Sequence, residues 1–121
     1  MNWFLIIAAV LHAGFMLCEL FPWSNPVLLQ FEVKKLPPET SFTLDQQSMV
    51  ATIVHNAGIY NSILAGGLFW AAFIGDPAAD VARVLLIGAA VAGVFGTVTL
   101  KSPVTAVQAL IGIVGFFLVK T

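Results

Sequence analysis

Charge is scarce in this sequence. Lysine and arginine together number 5 and aspartate and glutamate 6, so charged residues make up 9% of the 121 positions, against about 25% in an ordinary soluble domain. A net charge of −1 without a clustered basic face argues against nucleic acid as a partner. Cys18 is the sole cysteine, which excludes an internal disulfide. No close Cys/His spacing suggests a metal site, and no glycine-rich phosphate loop follows a strand, so no metal, nucleotide or haem cofactor is expected. What fills the chain is apolar: 60% of residues are hydrophobic, against about 45–50% in general. A soluble domain this small leaves too much of its surface wet to hide them.

The apolar residues fall into four runs, about 3–21, 48–74, 81–100 and 103–119. Pro22 is expected to close the first. The second exceeds the roughly 20 residues a bilayer needs, so it tilts or starts in the interface. Gly75-Asp76-Pro77 and Lys101-Ser102-Pro103 are turn signals; Asp80 is placed to cap the third helix and Arg83 to snorkel at its start. Period-2 alternation is missing and the runs are too long for strands. Gly58-Ser62-Gly66 and Gly88-Ala92-Gly96 carry small residues at four-residue spacing and read as helix-packing seams. The expected fold is an all-α integral membrane protein, a four-helix antiparallel transmembrane bundle forming one domain over 1–121 with a long first connecting loop. That loop, 22–46, mixes four prolines and several charges with Val27, Leu28, Leu29 and Phe31, and is read as lying on the bilayer surface. The first run has no basic n-region and carries Glu19, so it is read as a span rather than a cleaved leader. Lys34, Lys35 and Lys101 fall on one side, Arg83 and Lys120 on the other. The positive-inside rule then places both termini outside the cytoplasm.

Six polar residues interrupt the runs: His12, Glu19, Asn56, Tyr60, Thr97 and Gln108. An ionisable or amide group in hydrocarbon costs roughly 2.5–3.5 kcal/mol on insertion scales, so such groups tend to face inward and to be functional. Counting down antiparallel helices from a shared boundary at Phe21 and Met49 puts Glu19 level with Ala51 and His12 level with Gly58. All six then share one half of the bilayer and suggest a polar pocket beneath the long loop. His12 and Glu19 are two turns apart on one face, and Thr52, Asn56 and Tyr60 form a stripe with His55 at its edge, from which Asn61 points elsewhere. Glu19, His12 and Tyr60 are the candidate catalytic residues; Trp23, Asn56, Asn61, Thr97 and Gln108 are candidate substrate contacts. Duller roles remain open for each: Glu19 reaching headgroup water, His12, Asn56, Asn61 and Gln108 bonding neighbouring helices, Tyr60 and Trp23 anchoring at the interface.

The stretches LHAGFMLCELFPWSNP, HNAGIYNSILAGGLFW and AGVFGTVTL, followed by Gln108, resemble a family of small bacterial inner-membrane proteins known as a domain of unknown function, DUF1304. The likeness runs over nearly the whole chain, and Asn-x-Gly-x-Tyr-Asn followed by Leu-Ala-x-Gly-Leu carries most of its specificity. The family pattern falls on His12, Glu19, Trp23, Pro26, Asn56, Gly58, Tyr60, Asn61, Gly93, Gly96, Thr97 and Gln108. This chain has Ala57 where the family usually has Gln and Phe95 where it usually has Tyr. The resemblance implies four spans and a bacterial inner membrane, and no particular activity.

Three functions fit these features. The first is a membrane-embedded acid/base enzyme, an isomerase or hydrolase, acting on a small lipophilic molecule with Glu19 and His12 exchanging protons while Tyr60 and Asn56 polarise the substrate. The second is a proton-coupled exporter working as a homodimer, in which Glu19 of two copies meets near a two-fold axis. The third is a non-catalytic subunit of a membrane complex. A site closed within one chain favours the enzyme.

Overall fold

Asn2 starts the first helix. Its Oδ1 accepts from the backbone N–H of Phe4 at 3.1 Å and of Leu5 at 3.3 Å, donors that the first turn otherwise leaves without partners. The computed structural model describes residues 1–24 and 43–119, and within them the chain forms α1 (Trp3–Ser24), α2 (Leu44–Ile74), a short 3-10 turn (Asp76–Ala78), α3 (Ala79–Leu100) and α4 (Pro103–Leu118). No strand occurs among the described residues. Three of these helices contain stretches long and apolar enough to cross a membrane: Trp3–Phe21, Asp45–Ile74 and Asp76–Leu100. The fourth has 16 residues, a length of about 24 Å. Large apolar side chains cover the outside, with Phe95, Val98 and Phe117 at 69, 71 and 75% exposure. These are features of an integral membrane protein.

Several local expectations shift. Pro22 does not stop α1, which continues to Ser24; a proline near a helix end removes only its own N–H bond and already has a helical φ. At the other end of the long connection, Thr43 Oγ1 accepts from Gln46 N–H at 3.3 Å while Gln46 Oε1 accepts from Thr43 N–H at 2.9 Å. This reciprocal box starts α2 earlier than expected. Helix therefore claims both ends of the 22–46 segment, and the surface-lying reading of its centre lies outside the described residues. Asp80 is not a cap, because Ala78 occupies the N-cap position without a side-chain bond. The 3-10 turn runs directly into α3, with Ala79 N–H bonded to Asp76 O. Asp80 sits instead in the first turn, where its charge faces the positive end of the helix dipole.

The α3–α4 return is built as the turn residues suggest. Lys101 adopts a left-handed conformation at φ 50° and ψ 35°, and Ser102 caps α4 by accepting from Val104 N–H at 3.3 Å. A left-handed non-glycine residue carries roughly 1–2 kcal/mol of backbone strain. Lys101→Gly is accordingly expected to stabilise the protein by about 1 kcal/mol, read as a higher melting temperature in detergent. A lower one would assign the lysine side chain a stabilising contact.

The chain divides into two compact units, one comprising Met1–His12 with the chain from Ile63 onward, the other Ala13–Ser62. The first unit has a core rich in alanine: Ala8 and Ala9 of α1, Ala71 and Ala72 of α2, and Ala79 and Ala82 of α3, with Leu5, Leu68 and Leu86 among them. Asn2 N–H bonds Ala72 O at 3.0 Å across its helices. Small residues matter most between α3 and α4. A Cβ on Gly112 would lie 2.5 Å from Ala90 N and 2.6 Å from Leu86 O, and one on Gly93 would collide with the backbone of Ala109 and Thr105. The seam thus runs through Ala89, Gly93 and Gly96, all buried, rather than Gly88, Ala92 and Gly96. Gly66 and Gly88 have open space beside them.

Candidate functional site

In the second unit, Asn61 Nδ2 donates to Glu19 Oε2 at 2.7 Å. Gly58 makes this possible. It lies three residues before Asn61 on the same face of α2, and a Cβ there would stand 2.8 Å from Leu20 Cγ and 3.3 Å from Glu19 Cβ. The bare backbone lets α1 come close enough for a short amide to reach the carboxylate. Glu19 is half-buried and Asn61 buried. A bond of this length, made in apolar surroundings, fixes one carboxyl oxygen in direction.

This pairing departs from the expected geometry. Asn61, which the stripe in the sequence points away from the pocket, is the residue that meets Glu19. Glu19 lies beside Gly58 and Asn61, more than a turn from the level of Ala51. Helix length explains the error: α1 has 22 residues and α2 has 31, so their loop-side ends do not stand at one height.

Beside the pair, the same unit holds an open cleft of about 470 Å³ lined by Leu20, Phe21, Thr52, His55, Asn56 and Ile59. Leu20 links the two features, packing on Gly58 and forming part of the cleft wall. Three lining residues are apolar and three polar, with the apolar side chains supplying most of the surface, which suits a lipophilic molecule with one hydrogen-bonding end. Thr52 Oγ1 donates to Ser48 O at 3.0 Å and retains acceptor capacity. Tyr60 is 69% exposed and does not line the cleft. His55, at the edge of the polar stripe in sequence, lines the cleft, and its four-residue spacing to Ile59 puts both on one face of α2.

The remaining candidates fall in the first unit or have side chains outside the described residues. His12, fully buried, is the last residue of the first segment of the other unit. Thr97 and Gln108 lie in that unit too. Thr97 Oγ1 donates to Gly93 O at 2.7 Å and stands 3.2 Å from Thr105 Oγ1, while Gln108 is 8% exposed. Thr97 thus ties α3 to α4 at the return. Trp23 falls in the last turn of α1; its side chain, like Pro26, lies outside the described residues. No group of three His, Cys, Asp or Glu residues converges to hold a metal among the described residues.

Neither a curated protein nor a solved structure matches the chain. The model of a family described as a protein of unknown function (DUF1304) matches residues 6–120.

Proposed function

The chain belongs to the DUF1304 family, and from that premise we propose that it is a membrane-embedded acid/base protein, an isomerase or hydrolase, acting on a small lipophilic molecule. In this reading it is a multi-pass protein of the bacterial inner membrane with non-cytoplasmic termini. The substrate enters the cleft of the second unit with its apolar part against Leu20, Phe21 and Ile59 and its polar end toward Thr52, His55 and Asn56. Glu19, which neighbours the wall residue Leu20 without itself lining the cleft, exchanges the proton with the substrate end that reaches past Leu20. Asn61 is its positioning residue, holding one oxygen and leaving the other to be aimed at the substrate. In an isomerisation Glu19 takes a proton from one carbon and returns it to another, so that nothing else is consumed. The observation that carries this reading is the 2.7 Å bond from Asn61 to Glu19, a carboxylate oriented inside an apolar helix pair. Because both partners belong to one chain, it supports a site complete in a single copy over an exporter in which two glutamates meet.

Mass spectrometry of small molecules copurifying with the protein in mild detergent tests this, with wild type compared to Glu19→Gln. Loss of a general acid/base is expected to slow turnover by about 10²–10⁴-fold, so the variant should accumulate a lipophilic compound that the wild type carries in converted form. Identical profiles for the two proteins, or none above an empty-membrane control, would defeat the proposal.

A further inference from the structure

Arg83 lies in the second turn of α3, half-buried within the first unit. Its Nε donates to Phe116 O at 3.4 Å, and its guanidinium carbon stands 4.7 Å from the centre of the Phe116 ring. Both contacts hold the side chain against the C-terminal end of α4, where the last carbonyls lack helical partners. They engage one of its five N–H donors. The two Nη nitrogens bond no described residue, and Arg83 makes no ion pair with a described carboxylate. An always-charged, forked donor is thus held near the boundary of the spans with both Nη groups unpaired among the described residues.

An apolar groove of about 150 Å³ begins at the same phenylalanine, walled by Ile87, Val91, Ile113, Phe116 and Phe117 over a floor at Gly112. Ile87 and Val91 follow Arg83 at four-residue steps, so cation and groove share one face of α3. Val91 and Phe117 are 64 and 75% exposed, which opens the groove to the outside of the unit. A forked cation above an apolar channel has the polarity pattern of a single lipid: Nη donors match phosphate oxygens bidentately, and the channel matches an acyl chain.

We propose that this is a binding site for one anionic phospholipid of the surrounding bilayer, its phosphate on Arg83 and an acyl chain along the α3–α4 groove. The site uses no residue of the second unit, to which Glu19 belongs. Native mass spectrometry of protein released from nanodiscs of equimolar phosphatidylglycerol and phosphatidylcholine tests it. Wild type is expected to retain phosphatidylglycerol about fivefold over phosphatidylcholine: both offer Arg83 a phosphodiester, but the choline cation cancels the net charge that the guanidinium attracts. Arg83→Gln should abolish the preference, and Arg83→Lys, which keeps the charge without the fork, should retain part of it. Val91→Trp fills the groove from an exposed position and should lower retention of both lipids without changing the melting temperature. A wild type without preference, or an Arg83→Gln protein that keeps it, would overturn the proposal. So would a Val91→Trp protein that retains lipid but changes from dimer to monomer, since the groove would then belong to a second copy.

Discussion

Leucine in place of Gly112 is expected to force α3 and α4 apart and leave little protein that survives detergent extraction as a monodisperse species. A single added carbon already stands 2.5 Å from Ala90 N and 2.6 Å from Leu86 O. Both obstacles are backbone, which no rotamer change can move. Overpacking of this kind costs about 1–3 kcal/mol for a methyl group, and more for a larger side chain. Helices in lipid gain little from burying apolar surface against each other and depend on close packing instead, so the loss falls on the main attraction available to this pair. Size-exclusion chromatography and thermal unfolding provide the readout. Gly88→Ala is the control: nothing stands within 4 Å of its added carbon, and the exchange is expected to stabilise the helix by about 0.5–1 kcal/mol. A Gly112→Leu protein as stable as wild type would refute the seam.

The second large effect concerns the carboxylate. Asn61→Leu removes the donor of the 2.7 Å bond and leaves Glu19 half-buried without it, which is expected to destabilise the protein by about 2–3 kcal/mol. Changing Glu19→Leu as well should recover most of the loss, because two apolar groups make no unmet demand on each other. A double-mutant cycle built on these variants should give a coupling of about 1.5–3 kcal/mol. Near-zero coupling would mean that water, not Asn61, solvates the carboxylate, and Asn61 would lose its positioning role. A second readout separates structure from chemistry: if Asn61 aims Glu19, Asn61→Leu lowers kcat for the copurifying substrate more than it raises KM.

Helix number and type were legible because hydropathy reports them directly: long apolar runs, no alternation, and the turn residues Gly75, Pro77, Ser102 and Pro103 at the breaks. What was not legible was rotation about each helix axis. The polar and apolar residues of α2 are spread almost evenly around it, so the short stripe of Thr52, Asn56 and Tyr60 does not decide whether Tyr60 or Asn61 faces α1. The choice is made by Gly58, whose missing side chain admits Leu20 and Glu19. The same ambiguity misplaced the seam of α3, where Gly88 and Gly93 look equivalent until Thr105, Ala109 and Gly112 supply the opposite face. Glu19 stands out in any reading as the one acid inside the first run, yet its partner depended on the relative height of two helices of unequal length.

One feature of α4 bears on the medium around it. Its 16 residues span about 24 Å, short of the roughly 30 Å hydrocarbon layer. A bilayer of ordinary thickness is therefore expected to thin where it borders this helix, its two leaflets drawing together between Ser102 and Val119. Longer acyl chains make that dimple more expensive, so the thickness of the host bilayer sets how comfortably the hairpin sits.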